Sequence, residues 1–112
     1  MGLLQERYKT LKENIYKTSK YIIYPASSSN ELIEESKQQS NCVKTYLDKM
    51  AFAECDIYFL RENANPNKSL VTVEVRNNVV VQAKIKYNQE PTKQQWAFLN
   101  RWQAKILSKG VN

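Results

Sequence analysis

The chain contains no histidine, and only two glycines and two cysteines among its 112 residues. Without histidine, the commonest general base and the commonest metal ligand are both missing. Gly2 and Gly110 stand near opposite ends, so no glycine-rich phosphate loop can form. Cys42 and Cys55 are too few for a zinc site. With no export signal they read as reduced thiols in a cytoplasm. No apolar run approaches the ~18 residues of a membrane span. The first six residues lack the apolar stretch of a signal peptide. Gly2 is not followed by the Ser or Thr of a myristoylation signal. The expectation is a protein that uses neither metal nor cofactor and does not enter a membrane.

Hydrophobic residues make up 42% and charged residues 25% of the chain. This is a globular composition, and the length suits a single domain over 1–112. The net charge of +6 is unevenly placed. Residues 1–62 hold 9 basic and 9 acidic side chains, whereas 63–112 hold 8 basic against Glu74 and Glu90. All the excess therefore lies in the last fifty residues, which points to a polyanionic partner or an acidic protein surface.

Leu4, Tyr8, Leu11 and Ile15 recur at helical spacing and predict a helix over 2–18. Its stripe would dock on the domain itself or dimerise with a second copy. Tyr21-Ile22-Ile23-Tyr24 reads as a short strand stopped by Pro25. Ser28 and Glu31 have capping-box spacing for a helix running to about Gln39, thin in apolar residues and expected at the surface. A second helix is expected over 42–53.

Strands follow over 56–61, 70–76 and 79–86, with a turn-rich loop between the first two. In the last pair Val71, Val73, Val75, Val81, Ala83 and Ile85 should face the core. A two-residue turn at Asn77-Asn78 would pair Glu74 with Val81 and mix polar with apolar. Pairing Glu74 with Gln82 and Thr72 with Lys84 keeps the faces clean, which requires a longer loop or a bulge. Thr92 and Gln95 open the last helix as a capping box, with Phe98, Leu99, Trp102 and Ile106 inward. The fold class is α+β: a three- to four-stranded antiparallel sheet with helices packed on one face.

The other face would then present Thr72, Glu74, Arg76, Gln82, Lys84 and Lys86 side by side. Arg76, Lys84 and Lys86 suit a phosphate backbone. Glu74 could orient a lysine or read a base edge, with Gln82 beside it as a further contact, and Tyr87 and Tyr58 offer stacking rings. Arg101 and Lys105 add charge from the last helix. The rival reading is a degenerate enzyme in which Cys42, Glu74 and Gln82 share a pocket, with no histidine to activate the thiol.

Residues 21–107 contain an ordered set of short motifs: Asn41-Cys42-Val43-x-x-Tyr46, Ala53-Glu54-Cys55-x-Ile57-x-Phe59-x-Arg61, Thr72-x-Glu74-Val75-Arg76-Asn77, Val81-Gln82-Ala83, Asn88-x-x-Pro91-Thr92 and an aromatic helix with Trp102. This set resembles the C-terminal domain of PcfJ-like proteins of conjugative plasmids and related mobile elements. By that likeness 20–108 is an α+β core, preceded by a helical segment over 1–19. Relatives carry His before the Cys-Val pair, where this chain has Ser40 and Asn41, and Asn-Gly in the turn, where it has Asn77-Asn78. The resemblance implies an accessory protein, either an excised domain or a small stand-alone derivative. The reading is a non-enzymatic protein that binds nucleic acid or a ribonucleoprotein, such as an anti-CRISPR inhibitor of a host defence complex. A purely structural interaction module is the other alternative.

Overall fold

The computed structural model describes residues 3–39 and 55–110. The helix expected over 42–53, and Cys42 with it, lies outside the described residues. The elements in chain order are α1 (Leu3–Leu11), β1 (Tyr16–Lys17), β2 (Tyr21–Pro25), α2 (Ser29–Gln39), β3 (Asp56–Glu62), β4 (Val71–Arg76), β5 (Val79–Lys84) and α3 (Lys93–Lys105). The strands form one antiparallel sheet in sequential order β1 to β5. The α+β class is as expected, with five strands in place of three or four.

The additional strand comes from the expected N-terminal helix, which gives way to a 3-10 turn at Lys12–Asn14. Tyr16 then pairs with Ile23 in a hairpin. Aromatic and β-branched residues favour such pairing over continued helix. Ile15 is exposed, while Leu11 is buried in the core. Arg7 of α1 grips both carboxylate oxygens of Asp56 at 2.8 Å, so α1 is fastened to its own sheet.

The two faces of the sheet are the main departure from expectation. Residues paired across strands share a face, so Ile23, Leu60 and Val71 point one way, with Tyr58, Val73 and Ala83 beside them. This face is covered by α3: Phe98 meets the rings of Tyr16 and Tyr21, and Trp102 meets Tyr58. The opposite face, expected to stay polar and wet, carries α2. Glu35 of α2 bonds Arg61 and Thr72 there. Leu32, Glu35 and Gln39 are buried, so α2 is not a loosely attached surface helix. Burial of Ile57, Tyr58, Phe59 and Leu60 without a break shows that β3 is covered on both sides.

The β4–β5 hairpin contains both alternatives that the sequence left in conflict. Asn77 and Asn78 have φ of 52° and 63°, and form a two-residue turn that pairs Arg76 with Val79 and Val75 with Val80. A bulge follows. Glu74 then pairs with Gln82 and Thr72 with Lys84. Val81 is the extra residue, and it is 50% exposed rather than buried. The bulge shifts the phase of the turn-side half, so Val80 packs on the core in its place. Ile85 is only partly buried.

The starts of α2 and α3 carry caps. The Thr92–Gln95 capping box is complete. Ser28 Oγ accepts from the Glu31 amide at 3.2 Å, but the Glu31 carboxylate takes the amide and hydroxyl of Ser27, one residue further out than expected.

Candidate polyanion-binding surface

The expected platform on β4 and β5 is largely neutralised by its own carboxylates. Glu74 is 7% exposed, not a wet surface group. Its cross-strand neighbour on β3 is the buried Ile57, and its carboxylate accepts from Arg76 Nε at 3.0 Å. Lys84 Nζ lies 2.6 Å from Glu90. That ammonium hydrogen bond holds the Glu90 carboxyl below its usual range. Glu74 and Gln82 stand directly opposite one another, as the hairpin pairing required. Cys42, the third member of the enzyme alternative, is outside the described residues.

The acids of the C-terminal half, Glu74 and Glu90, are thus each engaged with one cation. Six basic side chains of that half are left: Lys68, Lys86, Lys93, Arg101, Lys105 and Lys109. All six are exposed, and none has an ion pair among the described residues.

Three of the six form a ridge. Lys93, Arg101 and Lys105 fall at multiples of four along α3, an exposed row that winds through about 120° around the helix. The first and last are about 18 Å apart along the axis at 1.5 Å per residue. The inner side of α3, with Phe98, Leu99 and Trp102, holds the ridge outward. Gln103 also bonds the Val80 amide at 2.8 Å and pins the helix to β5. Arg101 and Lys105 therefore stand on the side of the sheet away from Glu74, Gln82 and Lys84, not on one surface with them. The sequence signals Lys93 only weakly, because the apolar spacing of its helix marks the inward side and leaves the outward positions unspecified. Its outward period of four with Arg101 was there to be read.

Lys86 and Tyr87 occupy a tight loop closed by the Ile85 amide bonding Gln89 O at 2.9 Å. Tyr87 has φ of 62° and is 65% exposed. The Lys86 ammonium sits 5.2 Å from its ring centroid. A large exposed ring on a left-handed backbone is an uncommon arrangement, of the kind that gathers at binding sites.

Fold and surface together define a class: a small α+β domain with a five-stranded antiparallel meander between helices and a basic C-terminal half. The comparisons give the family. The PcfJ-like protein family matches residues 3–99. An uncharacterized protein of Listeria innocua is 30% identical over 106 residues, which cover 93% of this chain. The chain belongs to the PcfJ-like family. It spans 23% of the length of that Listeria relative. No solved structure matches the chain significantly. Among the described residues, no helix is long and apolar enough to cross a membrane.

Proposed function

We propose that this domain is a non-enzymatic accessory of a mobile element that binds nucleic acid or a ribonucleoprotein, with inhibition of a host defence complex as its form of action. The observation that supports this is the set of six exposed cations left after Glu74 and Glu90 are paired. On this reading the α3 ridge follows a phosphate backbone, and Tyr87 stacks on an unpaired base. Binding would be mostly insensitive to sequence, because phosphate contacts position without reading bases.

The test is titration of labelled single- and double-stranded DNA and RNA at several salt concentrations. Three phosphate contacts by the ridge give a slope near three and weaken duplex binding roughly 40-fold between about 50 and 200 mM salt. The triple change Lys93→Ala, Arg101→Ala, Lys105→Ala should lower the slope by about three without unfolding the domain. The joint change Lys84→Ala, Glu90→Ala removes a neutral pair and should leave the slope as it is. Absence of binding to every nucleic acid at about 50 mM salt would end this reading and leave an acidic protein surface as the partner to seek.

A further inference from the structure

The end of α2, the segment before β4 and the loop after β5 enclose a cavity of about 420 Å³. Small-molecule sites commonly measure roughly 300–1,000 Å³. Each of the three segments contributes one lysine to the lining: Lys37, Lys68 and Lys86. Leu70 and Ile85 supply apolar wall, and no Asp or Glu lines the cavity among the described residues. All three lysines are exposed and without an ion pair among those residues. Three ammonium groups around one hollow repel each other until an anion enters.

A second observation is independent of charge. Gln39 also lines the cavity; it is 1% exposed, and its Nε2 has no acceptor among the described residues. The buried hydroxyl of Ser69 likewise has no partner there. The neighbouring amides are already committed. Gln38 Oε1 accepts from the Ser69 amide at 2.7 Å, and Gln95 Oε1 from the Thr92 amide at 2.9 Å. Buried donors without acceptors are rare in folded proteins. Here the two residues that carry them both line a hollow that already holds three positive charges.

We propose that this cavity binds the phosphate monoester of a nucleotide. A phosphate monoester presents only acceptor oxygens and close to two negative charges, matching lysines and unpaired donors together. The volume exceeds what an inorganic anion needs, and Leu70 and Ile85 give the remainder of the ligand an apolar wall. Tyr87, next to the cavity-lining Lys86, offers an exposed ring for a base. The monoester comes either from a free mononucleotide or from the terminal phosphate of a strand. The second source rests on the nucleic-acid reading above; the first does not.

The test is calorimetric or NMR titration of the full chain with adenosine monophosphate and with adenosine. In parallel, one oligonucleotide is compared with a 5′-phosphate and with a 5′-hydroxyl end. Adenosine monophosphate should bind saturably and adenosine should not. Lys68→Ala, Lys86→Ala and Gln39→Met should each weaken the monophosphate about tenfold, the effect of one hydrogen bond to a charged group. Lys12→Ala, on the N-terminal turn, should leave it unchanged. Preference for the phosphorylated strand assigns the cavity to strand ends; equal strand binding assigns it to the free nucleotide. No monophosphate binding at about 10 mM, with no end preference, overturns the proposal even where strands still bind along α3. Monophosphate binding without strand binding overturns the nucleic-acid reading and leaves this one standing. Should Gln39→Met fail to fold, Lys68→Ala on the exposed loop decides, and undiminished affinity in that variant overturns the cavity assignment.

Discussion

Glu35 is 3% exposed beneath α2, and two donors converge on it. Arg61 Nη2 lies 2.5 Å from Oε1, and Thr72 Oγ1 2.5 Å from Oε2. The Arg61 guanidinium also lies 5.0 Å from the Phe59 ring centroid. Removing one member leaves a charge buried without its counterpart. Glu35→Ala and Arg61→Ala should therefore each cost about 3–5 kcal/mol in urea unfolding. Thr72→Val should cost about 1.5–3 kcal/mol. The joint change Glu35→Leu, Arg61→Met should cost less than the two alanine changes summed, because two apolar side chains replace the pair. Additive losses would show that the charges act independently. This cluster was poorly legible in the sequence for a definite reason. Leu32, Glu35 and Gln39 have helical spacing, but two of the three are polar, so a search for apolar periodicity passes over the inward stripe.

Among the elements, the β4–β5 hairpin carries the clearest conflict between local and global preference. The Asn77-Asn78 turn sets one register, and the inward row of β4 demands another; the bulge at Val81 reconciles them. Asn78→Gly should stabilise the domain by about 0.5 kcal/mol, since glycine takes positive φ without a Cβ penalty. Asn78→Val should destabilise it by about 1–2 kcal/mol. Thermal melts of the two variants against the parent check both directions. The need for a bulge was legible from Thr72, Glu74, Gln82 and Lys84. Which residues turn outward was not, because that depends on where the extra residue sits. β3 offered a plainer signal: Ile57-Tyr58-Phe59-Leu60 has no polar alternation, the pattern of a strand covered on both faces.

At the scale of the whole molecule, Asn14, Tyr58 and Trp102 join the N-terminal segment, the sheet and α3. The Asn14 side chain donates to the Tyr58 hydroxyl at 2.8 Å, and Trp102 Nε1 donates to the Asn14 carbonyl at 2.8 Å. The Tyr58 and Trp102 rings meet edge to face at 4.7 Å. Burial pushes the Tyr58 phenol up to about 12, against about 10 in an unfolded chain. The unfolded chain therefore loses this proton first. The contribution is complete below pH ~10 and is lost as pH rises through ~12, about 3 kcal/mol in all. Denaturation from pH ~8 to ~11.5 should show that decline in the parent and a shallower one in Tyr58→Phe. At neutral pH the same variant should be weaker by about 1 kcal/mol, because the Asn14 amide loses its acceptor. Equal alkaline slopes in the two proteins would remove Tyr58 from the account.

The sequence by itself determined the α+β class, the capped α3 with Phe98, Leu99 and Trp102 inward, the β3–β4–β5 meander and the concentration of charge after residue 62. These depend on short-range periodicity, capping chemistry and composition, all of which act within a few residues. Only the tertiary structure decided that α2 covers the second face, that Tyr16 and Lys17 leave the helix for the sheet, and that Glu74 is buried against Arg76. It alone separated Arg101 and Lys105 from Lys84, and brought Lys37, Gln39, Lys68 and Lys86 around one cavity. Each of these turns on which residues distant in sequence become neighbours in space. A lysine's partner is chosen by the packing of whole elements, and a linear pattern does not carry that information.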